Sequence, residues 1–344
     1  MKSRVSRGKS KIKGLLASGS KKIVIITHVN PDGDAIGSSL ALCRVLKNMG
    51  HNAVVITPNV YPAFLQWMPG NNDIVVFYNA LKKARLLILE AEIIFCLDFN
   101  DLTRIKQVNT LVQESKAHKI LIDHHPTETY FTSLVYCDVN VSSAAELVYD
   151  FVFGLGFRNY FDLEAATCIY TGIMTDTGCF SYNSSNPYTY KVVAKLLEMG
   201  VDKDNANAEV YYNFSGSRMR LLGYVLNEKM EIFEEYSTAI LSLTREEQKR
   251  YNFQAGDSEG FVNYPLSIKN IKFSVLFVEK EDHVKLSLRS KGSFAVNRFA
   301  RQHFNGGGHP NASGGEMYAP LHEVLLKFRE LIPLYKNELT NEQA

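Results

Sequence analysis

The sequence predicts an α/β protein with a parallel-sheet N-terminal domain covered by helices on both faces, plus a smaller α/β C-terminal domain with a mixed sheet. Three observations support this fold class. The 344 residues exceed what one hydrophobic core normally supports. Short apolar strands alternate with helical segments over the first half, which is typical of βαβ units. After Met230 several strands follow one another, and one alternates apolar with polar residues, as expected for a sheet with one covered face.

The first domain is assigned to residues 1–200. Its predicted strands are four short apolar runs, at residues 23–27, 53–56, 93–97 and 119–122. A helix is predicted over residues 35–49, where apolar residues recur at helical spacing before Gly50. Further helices are predicted over 143–153, from 162 toward 174, and over 188–199, the last opened by Asn186 and Pro187.

The second domain is assigned to residues 229–344, after a more polar stretch at 201–228 that we interpret as a helical connector. Strands are predicted at residues 238–243, 271–278 and 283–289, with a charged hairpin turn between the last two. A closing helix is predicted after Pro320, where apolar residues again recur at helical spacing. We expect the tail from Asn337 onward to be frayed.

Composition places the chain among cytoplasmic globular proteins with no membrane partner. It is 46% hydrophobic and 22% charged, and no apolar run approaches a membrane span. The N-terminus is basic, but its apolar run is too short for a signal peptide, so we expect a solvated arm or an amphipathic first helix. Five cysteines without a Cys-x-x-Cys pair argue against a disulfide framework. The net charge of +2 excludes no class of partner, and a homodimer is among the oligomeric states the sequence allows.

Acidic residues and histidines follow several of the predicted strands. His28, Asp32 and Asp34 come after the first strand, and Asp98 directly follows the strand at 93–97. The sequence Asp123-His124-His125 closes the strand at 119–122, and Asp176 lies in a glycine- and threonine-rich turn. In an open α/β sheet the carboxyl ends of the strands line the ligand crevice. Carboxylates with a minority of imidazoles suit Mn²⁺ or Mg²⁺, and a pair of cations relieves the repulsion among the acids.

These motifs resemble those of a known family. The set comprising His28 to Asp34, Asp98, Asp123-His124-His125 and Asp176 resembles the four motifs of the DHH phosphoesterases. The glycine-rich segment at 306–315 is similar to that of the DHH-associated C-terminal domain, and all five motifs occur in family order. The layout looks like the NrnA branch. That resemblance implies hydrolysis of very short RNA or DNA oligonucleotides, such as the dinucleotide pApA, to mononucleotides, and dephosphorylation of 3′-phosphoadenosine 5′-phosphate (pAp).

The resemblance also implies a di-metal site that takes two Mn²⁺ ions, with Mg²⁺ as a substitute. One ion would be held by His28, Asp32 and Asp98, and the other by Asp34, Asp98, His124 and Asp176. Two such ions activate water for attack on a phosphoester. We expect Asp123 to orient a histidine and His125 to contact the phosphate or donate a proton.

A second group of residues, in the C-terminal domain, is suited to anions. No Asp or Glu occurs between His283 and Gly315, where five Lys or Arg residues and three histidines accumulate. The residues we expect to bind a substrate phosphate are Arg289, Ser290 and His309, with Gly306, Gly307 and Gly308 shaping the pocket.

Other functions share parts of this pattern. An exopolyphosphatase or an inorganic pyrophosphatase would use the same di-metal site, although the C-terminal glycine motif argues against the pyrophosphatase. A longer RecJ-like exonuclease would need more room than 344 residues provide. A nucleotide-binding sensor module that has lost catalysis would bind nucleotide without metal-dependent turnover. Cleavage direction and the choice between RNA and DNA stay open at this point.

Overall fold

The computed structural model describes residues 4–125 and 130–340. The chain divides into two compact units, of which the first ends at Asn213 and the second begins at Phe214. This division lies within the stretch 201–228 that the sequence analysis assigned to a connector. That stretch is largely helical here, and it includes a π-helical segment at Ala208–Tyr212.

The first unit is built on a seven-stranded sheet. Its strands are β1 (Arg4–Arg7), β2 (Lys22–Ile26), β3 (Asn52–Thr57), β4 (Val75–Val76), β5 (Ile93–Leu97), β6 (His118–Asp123) and β7 (Leu134–Asp138). They are arranged in the order β1-β7-β6-β5-β2-β3-β4. All neighbouring strands run parallel except β1, which pairs antiparallel with β7. The predicted parallel sheet is therefore confirmed, whereas β1, β4 and β7 were not predicted from the sequence.

Helices cover both faces of this sheet. They are α1 (Lys9–Ala17), α2 (Gly33–Asn48), α3 (Leu81–Glu90), α4 (Val108–Glu114), α5 (Ala144–Leu155), α6 (Leu163–Asp176), α7 (Pro187–Glu198) and α8 (Lys203–Asn207). In β5, Phe95 packs into the core with α2, α5 and α6, while Cys96 packs into the opposite core with α3 and α4. Because both faces are covered, the strands are continuous apolar runs without polar alternation.

Helices α2 and α6 approach closely because both carry glycines at their contact. A Cβ atom at Gly37 of α2 would lie 2.5 Å from the carbonyl oxygen of Cys168 in α6. A Cβ atom at Gly172 of α6 would lie 2.5 Å from the Cβ of Ala145 in α5. Real Cβ atoms do not come that close, so the absence of side chains here is what permits the packing of α2, α5 and α6. Asp34 and Asp176, at opposite ends of α2 and α6, depend on this contact for their placement.

The basic N-terminal segment forms regular structure. Strand β1 extends the sheet, and α1 buries Ile12 and Leu16 against the core beneath α5 while its lysines remain exposed. Of the two expectations for this segment, the amphipathic helix is confirmed. The residues before Arg4 lie outside the described part of the chain.

The second unit contains a six-stranded mixed sheet, as predicted. Its strands are β8 (Met230–Phe233), β9 (Thr238–Leu243), β10 (Phe273–Glu279), β11 (Val284–Ser290), β12 (Gly307–Gly308) and β13 (Ala312–Met317). The order is β12-β13-β11-β10-β9-β8, with β9 and β10 parallel and all other neighbours antiparallel. Strands β10 and β11 form the predicted hairpin, and residues of β11 alternate between buried and half-buried.

The helices of the second unit are α9 (Gly216–Glu228), α10 (Arg245–Arg250), α11 (Val296–His303), α12 (Leu321–Leu331) and α13 (Lys336–Thr340). Phe273 and Phe277 pack with α11 and α12 on one face of the sheet, and Leu276 packs with α9 on the other. The expectation of a frayed tail from Asn337 was wrong for residues 337–340. They form α13, because Leu339 is fully buried in the core with α12. Residues 341–344 lie outside the described range.

Among the residues described, no helix is long and apolar enough to cross a membrane. All five cysteines are free thiols, in agreement with the expected absence of disulfides. Four of them are buried, while Cys179, expected to pack in the core, is exposed next to Asn207.

Candidate metal centre

The sheet order of the first unit brings three strand ends together. Strands β6, β5 and β2 are parallel neighbours, so their carboxyl ends lie along one edge of the sheet. Asp123 ends β6, Asp98 directly follows β5, and His28 comes two residues after β2. The amino end of α2 carries Asp34 to the same edge, and the last residue of α6 is Asp176.

Asp98 lies at the middle of this cluster. Its backbone has a φ of +62°, in the left-handed region that residues other than glycine rarely adopt. One carboxylate oxygen, Oδ2, is 3.4 Å from His28 Nε2. The other, Oδ1, is 3.5 Å from His124 Nε2 and is buried without a hydrogen-bond partner among the described residues. His125 Nδ1 also lies 3.6 Å from Oδ1. These separations are too long for good hydrogen bonds, and they leave the oxygens of Asp98 facing three imidazoles.

His28 and Asp32 form one group with Asp98. Their donor atoms lie within 4.8 Å of one another. His28 Nδ1 bonds the carbonyl oxygen of Val29 at 2.8 Å, which directs Nε2 toward Asp98. Asp32 is exposed and caps α2, where one oxygen, Oδ1, accepts hydrogen bonds from the amides of Asp34 and Ala35. The N-cap residue of α2 is thus Asp32, and the side chain of Asp34 is not used for capping.

Asp34, His124 and Asp176 form a second group, whose donor atoms also lie within 4.8 Å of one another. His124 Nε2 is 3.8 Å from Asp34 Oδ2 and 3.7 Å from Asp176 Oδ2. His124 and Asp34 are almost fully buried, and Asp176 is the more accessible of the three. Since His124 Nε2 also lies 3.5 Å from Asp98 Oδ1, Asp98 adjoins both groups.

The carboxylate of Asp34 is held by the start of α5. Its Oδ2 accepts a hydrogen bond from the amide of Ala144 at 2.6 Å, and its Oδ1 accepts one from the amide of Ala145 at 2.8 Å. The amides at a helix N-terminus have no partner within the helix and attract negative charge. Both oxygens of Asp34 are therefore fixed in orientation although the residue is 1% exposed.

Asp123 and His125 are hydrogen-bonded to each other at the end of β6, and with Asp98 they form a third group whose donor atoms lie within 4.8 Å of one another. Asp123 is fully buried, and its Oδ1 accepts a hydrogen bond from His125 Nδ1 at 2.8 Å. Its Oδ2 accepts a bond from the backbone amide of His125 at 3.1 Å. These two bonds fix the ring of His125 and assign the donor proton to Nδ1, which leaves Nε2 as the basic ring nitrogen.

Burial and repulsion between carboxylates raise the pKa values of some acids in the cluster, whereas the neighbouring imidazoles lower that of Asp98. Burial raises the pKa of Asp34 well above the ordinary carboxyl value, and the charges of Asp98 and Asp176 raise it further. Burial also raises the pKa of Asp176, to about 7. For Asp98 burial acts in the same direction, but the close imidazoles of His124 and His28 outweigh it and hold its pKa well below the ordinary value. Burial lowers the pKa of His124, yet the three carboxylates raise it well above the ordinary imidazole value.

The donor set fits divalent cations. Carboxylate oxygens outnumber imidazole nitrogens, a composition that suits Mn²⁺ or Mg²⁺. The buried Oδ1 of Asp98 lacks a partner in the described chain, and such an atom is costly unless something binds it. Without cations the buried carboxyls of Asp34 and Asp176 tend to retain protons, and bound cations would remove that need.

The predicted substrate-binding residues of the second unit also come together. Gly307 and Gly308 form β12, which pairs with β13, and Arg289 pairs with Ala312 on the other side of β13. His309 lies in the turn between β12 and β13, where its amide bonds the carbonyl oxygen of Ala312. A Cβ atom at Gly306 would lie 2.1 Å from the carbonyl oxygen of Gly314, so only glycine fits there.

Arg289 and Ser290 differ in what they can offer a ligand. Arg289 Nη1 donates to the carbonyl oxygen of Leu288 at 3.0 Å, while its buried Nε has no partner in the described chain. Ser290 is buried, and its hydroxyl donates to the carbonyl oxygen of Phe294 at 2.7 Å and accepts from Asn311 Nδ2 at 2.9 Å. The hydroxyl proton of Ser290 is thus used within the unit, where it ties the tip of the glycine hairpin to the end of β11.

Two parts of the site were not identified from the sequence. One is the contact between Asp34 and the start of α5, although a helix was predicted over residues 143–153. The other is Asn59, whose side-chain amide exchanges two hydrogen bonds with Asn30 in the loop between His28 and Asp32. No local signal points to Asn59, because it contacts that loop only through the fold.

The chain matches two protein-family models. One, described as "DHH family, N-terminal domain", matches residues 22–173, and the other, described as "DHHA1 domain", matches residues 237–335. The first matched region includes His28 to His125 and ends before Asp176, and the second includes Arg289 to His309.

Two of the similar proteins illustrate the activities after which these relatives are named. The probable bifunctional oligoribonuclease and PAP phosphatase NrnA of Streptococcus mutans is 31% identical over 301 residues, which cover 86% of this chain and 90% of that protein. The bifunctional oligoribonuclease and PAP phosphatase NrnA of Thermus thermophilus is 30% identical over 295 residues, covering 86% and 84%.

Two solved structures share the fold. An exopolyphosphatase-related protein from Bacteroides fragilis is 44% identical, with a TM-score of 0.92 and coverage of 99% of this chain and 100% of that one. RecJ of Thermus thermophilus, in complex with Mn²⁺, has a TM-score of 0.57 at 14% identity, covering 96% of this chain and 55% of that one, and the likeness concerns the fold alone.

Proposed function

The chain belongs to the DHH family, with a DHHA1 domain after its DHH domain in the sequence, and on this premise we propose that it is a metal-dependent phosphoesterase acting on very short oligonucleotides and on pAp. It would hydrolyse dinucleotides such as pApA to mononucleotides and remove a phosphate from pAp. The observation that carries the proposal is the cluster of four carboxylates and two imidazoles at the edge of the first sheet, four of whose six residues are buried. The names of relatives at 27–31% identity over most of the chain support the substrates.

We propose that the cluster holds two Mn²⁺ ions, for which Mg²⁺ can substitute. His28, Asp32 and Asp98 would hold one ion, and Asp34, His124 and Asp176 would hold the other, with Asp98 shared between them. Divalent cations supply two things when bound in such a site, a lowered pKa for coordinated water and neutralisation of the phosphoryl charge. Asp34 is suited to its part because the amides of α5 fix both of its oxygens.

His125 is our candidate for proton transfer to the leaving oxygen. Asp123 holds Nδ1 of the ring at 2.8 Å, so Nε2 is the nitrogen that can carry a second proton and release it. The buried carboxylate of Asp123 stabilises the doubly protonated ring that this role requires. Asp123 is thus proposed to act through His125.

In the second unit we propose that Arg289 and His309 bind a substrate phosphate, with the glycines of β12 shaping the pocket. The planar guanidinium of Arg289 suits phosphate oxygens, and its buried Nε makes no hydrogen bond within the described residues. Glycine at 306–308 allows backbone amides to approach a ligand closely. Ser290 is proposed to contribute by holding the hairpin in place, since its proton is already donated to Phe294.

A single assay tests the proposal. Purified protein is incubated with Mn²⁺ and, separately, with pApA, a longer RNA, pAp, pyrophosphate and polyphosphate, with Asp34→Ala as control. We expect fast release of AMP from pApA or pAp, slow cleavage of the longer RNA, and no release by the variant. Retention of nucleotide without metal-dependent product would instead indicate a binding module.

An exopolyphosphatase is the second candidate. The 44% identical protein from Bacteroides fragilis, whose name relates it to exopolyphosphatases, covers 99% of this chain. A di-metal site with a basic pocket does not by itself identify the leaving group. Release of phosphate from polyphosphate at a rate exceeding that of AMP from pApA would favour this candidate over the first.

A further inference from the structure

A further buried carboxylate, that of Glu146, belongs to the same helix start as the amides that bind Asp34, but it is not part of the proposed metal centre. It is the third residue of α5 and has no exposed surface. Its Oε2 accepts three hydrogen bonds, from the amide of Ser142 at 3.1 Å, the hydroxyl of Ser142 at 2.5 Å and the hydroxyl of Thr189 at 2.8 Å. Its Oε1 is buried without a hydrogen-bond partner among the described residues. Burying a carboxylate is costly, so this one calls for a role that an apolar residue could not fill.

Ordinary helix capping does not account for these bonds. In a capping box the third residue of the helix reaches back to the amide of the N-cap residue, which here is Ser143. Glu146 instead reaches one residue further, to Ser142, and across to Thr189 in the first turn of α7. The side chain therefore ties the turn before α5 to a neighbouring helix.

That turn leads directly to a proposed metal ligand. Ser142 precedes the N-cap Ser143, and the next two amides, of Ala144 and Ala145, each bond one oxygen of Asp34. Asp34 thus accepts hydrogen bonds from the first two amides of α5, and Glu146 accepts a hydrogen bond from the amide of Ser142 in the turn before α5. Both carboxylates are therefore bound to the same short segment. If the turn shifts, both bonds to Asp34 shift with it.

The same turn also contacts the segment that follows Asp176. Asn183 Nδ2 donates to the carbonyl oxygen of Ser142 at 3.1 Å. Between Asp176 and Asn183 the backbone adopts positive φ values at Cys179 and Phe180, which is an unfavourable conformation for residues with side chains. Such a segment keeps its shape only when surrounding contacts enforce it, and the bond to Ser142 is one of them.

From this geometry we propose that Glu146 is a positioning residue of the metal centre. By fixing Ser142 it holds the amides that orient Asp34, and it supports the segment that begins at Asp176. The inference rests on the proposed metal centre. It predicts that Glu146 affects how tightly the protein binds Mn²⁺, although it touches none of the proposed ligands.

Titration calorimetry tests this role by measuring Mn²⁺ binding to the full-length, metal-depleted protein. Unfolding temperatures are recorded in EDTA alongside. Glu146→Leu is expected to weaken Mn²⁺ binding by about 10–100-fold, the usual effect of removing support behind a ligand. Glu146→Gln is expected to bind like the wild type, because its carbonyl oxygen can accept the same bonds. Thr238→Val is the control, since it removes the hydrogen bond of another buried threonine, to the carbonyl oxygen of Tyr236 in the second unit. It should lower the unfolding temperature and leave Mn²⁺ affinity unchanged.

A Glu146→Leu variant that folds, has a lower unfolding temperature and binds Mn²⁺ like the wild type would overturn the proposal in favour of a purely structural role. If that variant does not fold, Ser142→Ala tests the same link, with an expected weakening of about tenfold and the same overturning result. A wild-type protein that binds no Mn²⁺ would overturn the metal centre and this inference together. A wild type that binds Mn²⁺ but hydrolyses neither pApA nor pAp would contradict the proposed substrates alone.

Discussion

At the scale of single residues, the site depends on side chains held in unusual positions. Asp98 and Asn30 both have left-handed backbone conformations, with φ of +62° and +55°. Left-handed backbone at a residue with a side chain costs free energy and is concentrated at functional sites. Here it turns the chain sharply after β5 and after β2, and Asn59 stabilises the second of these turns through two hydrogen bonds.

Substitution of the buried residues that we propose as ligands should abolish turnover while the fold survives. Asp34→Asn is preferable to Asp34→Ala, because the amide oxygen can still accept a bond from the start of α5. We expect Asp34→Asn and His124→Ala each to lower kcat/KM for pApA by at least about 100-fold. Initial rates with saturating Mn²⁺, together with circular dichroism, check this. Asp73→Asn, which changes an exposed aspartate paired with Lys47, is the control. Retention of one tenth of the activity by Asp34→Asn would contradict its role as a ligand.

Arg289 should affect substrate binding more than chemistry. Arg289→Ala is expected to raise KM for pAp more than it lowers kcat, because the guanidinium is proposed to grip a phosphate that does not react. Lys285→Ala is a matched control, since Lys285 is a half-buried cation on the same side of β11. Steady-state kinetics distinguish the outcomes. Equal losses in kcat and kcat/KM would place Arg289 at the transition state, and wild-type kinetics would remove it from the site.

At the scale of elements, the packing of α2 against α5 and α6 determines the positions of the proposed ligands Asp34 and Asp176. Asp34 comes from α2, its hydrogen-bond donors from α5, and Asp176 from α6. The three helices lie on one face of the sheet and approach through Gly37 and Gly172. The ligand geometry therefore depends on residues that carry no functional group.

Gly172→Ala tests that dependence. The added Cβ would lie 2.5 Å from the Cβ of Ala145 and 3.1 Å from Asp34 Oδ1. We expect the free energy of unfolding to fall by about 1–3 kcal/mol and Mn²⁺ binding to weaken. Denaturant titration and calorimetry measure the two effects. Gly223→Ala in α9 is the control, because nothing lies within 4 Å of the added atom, and it should stabilise the protein by about 0.5–1 kcal/mol. Unaltered stability in Gly172→Ala would show that the helices can move apart freely.

The elements that the sequence predicted well are those whose signals are local. The strands β2, β5 and β6 are continuous apolar runs because both of their faces are buried, and they were placed to within a residue or two. Strands β1 and β4 have no such run, because they are short edge strands defined by the partners with which they pair. The C-terminal tail was wrongly predicted to be frayed because the contact that orders it is also not local. Leu339 is buried in the core with α12, and this one residue is enough to order the segment.

At the scale of the whole molecule, the charge cluster links stability to pH and to metal. Asp34 and Asp176 have raised pKa values, that of Asp176 about 7, and so does His124. A folded-state pKa above the unfolded value means that the folded protein binds the proton more tightly. The stability that these protons contribute is present at low pH and is lost as pH rises through the folded pKa. The lowered pKa of Asp98 changes the free energy of unfolding only at pH values at or below the ordinary carboxyl pKa, which is below the pH range in which the other three groups lose their protons.

The metal-free protein should therefore unfold at a lower temperature as pH rises from about 6 to about 8. Saturating Mn²⁺ should reduce or reverse this dependence, because bound cations replace the protons. Unfolding temperatures measured across this range in EDTA and in Mn²⁺ give the comparison. Asp176→Asn should flatten the EDTA profile, since it removes the group that titrates near 7. Stability in EDTA that rises with pH would contradict the assigned directions.

The sequence by itself determined the fold class and the identity of the residues in the cluster. Apolar runs and the polar residues that end them are local features, and parallel strands place their ends at one edge of a sheet. The family that these motifs resembled is confirmed by the family models and by relatives at 30–31% identity. Their roles as ligands remain predictions.

Only the tertiary structure decided how the cluster is supported. Asp34 meets the amides of α5 110 and 111 positions further along the chain, and Glu146 meets Thr189 43 positions away. Contacts over such separations leave no local pattern, because they arise from helix packing that glycines at 37 and 172 permit. The residues of the proposed site can therefore be predicted from the sequence, while the contacts that hold its carboxylates in place appear only once the chain is folded.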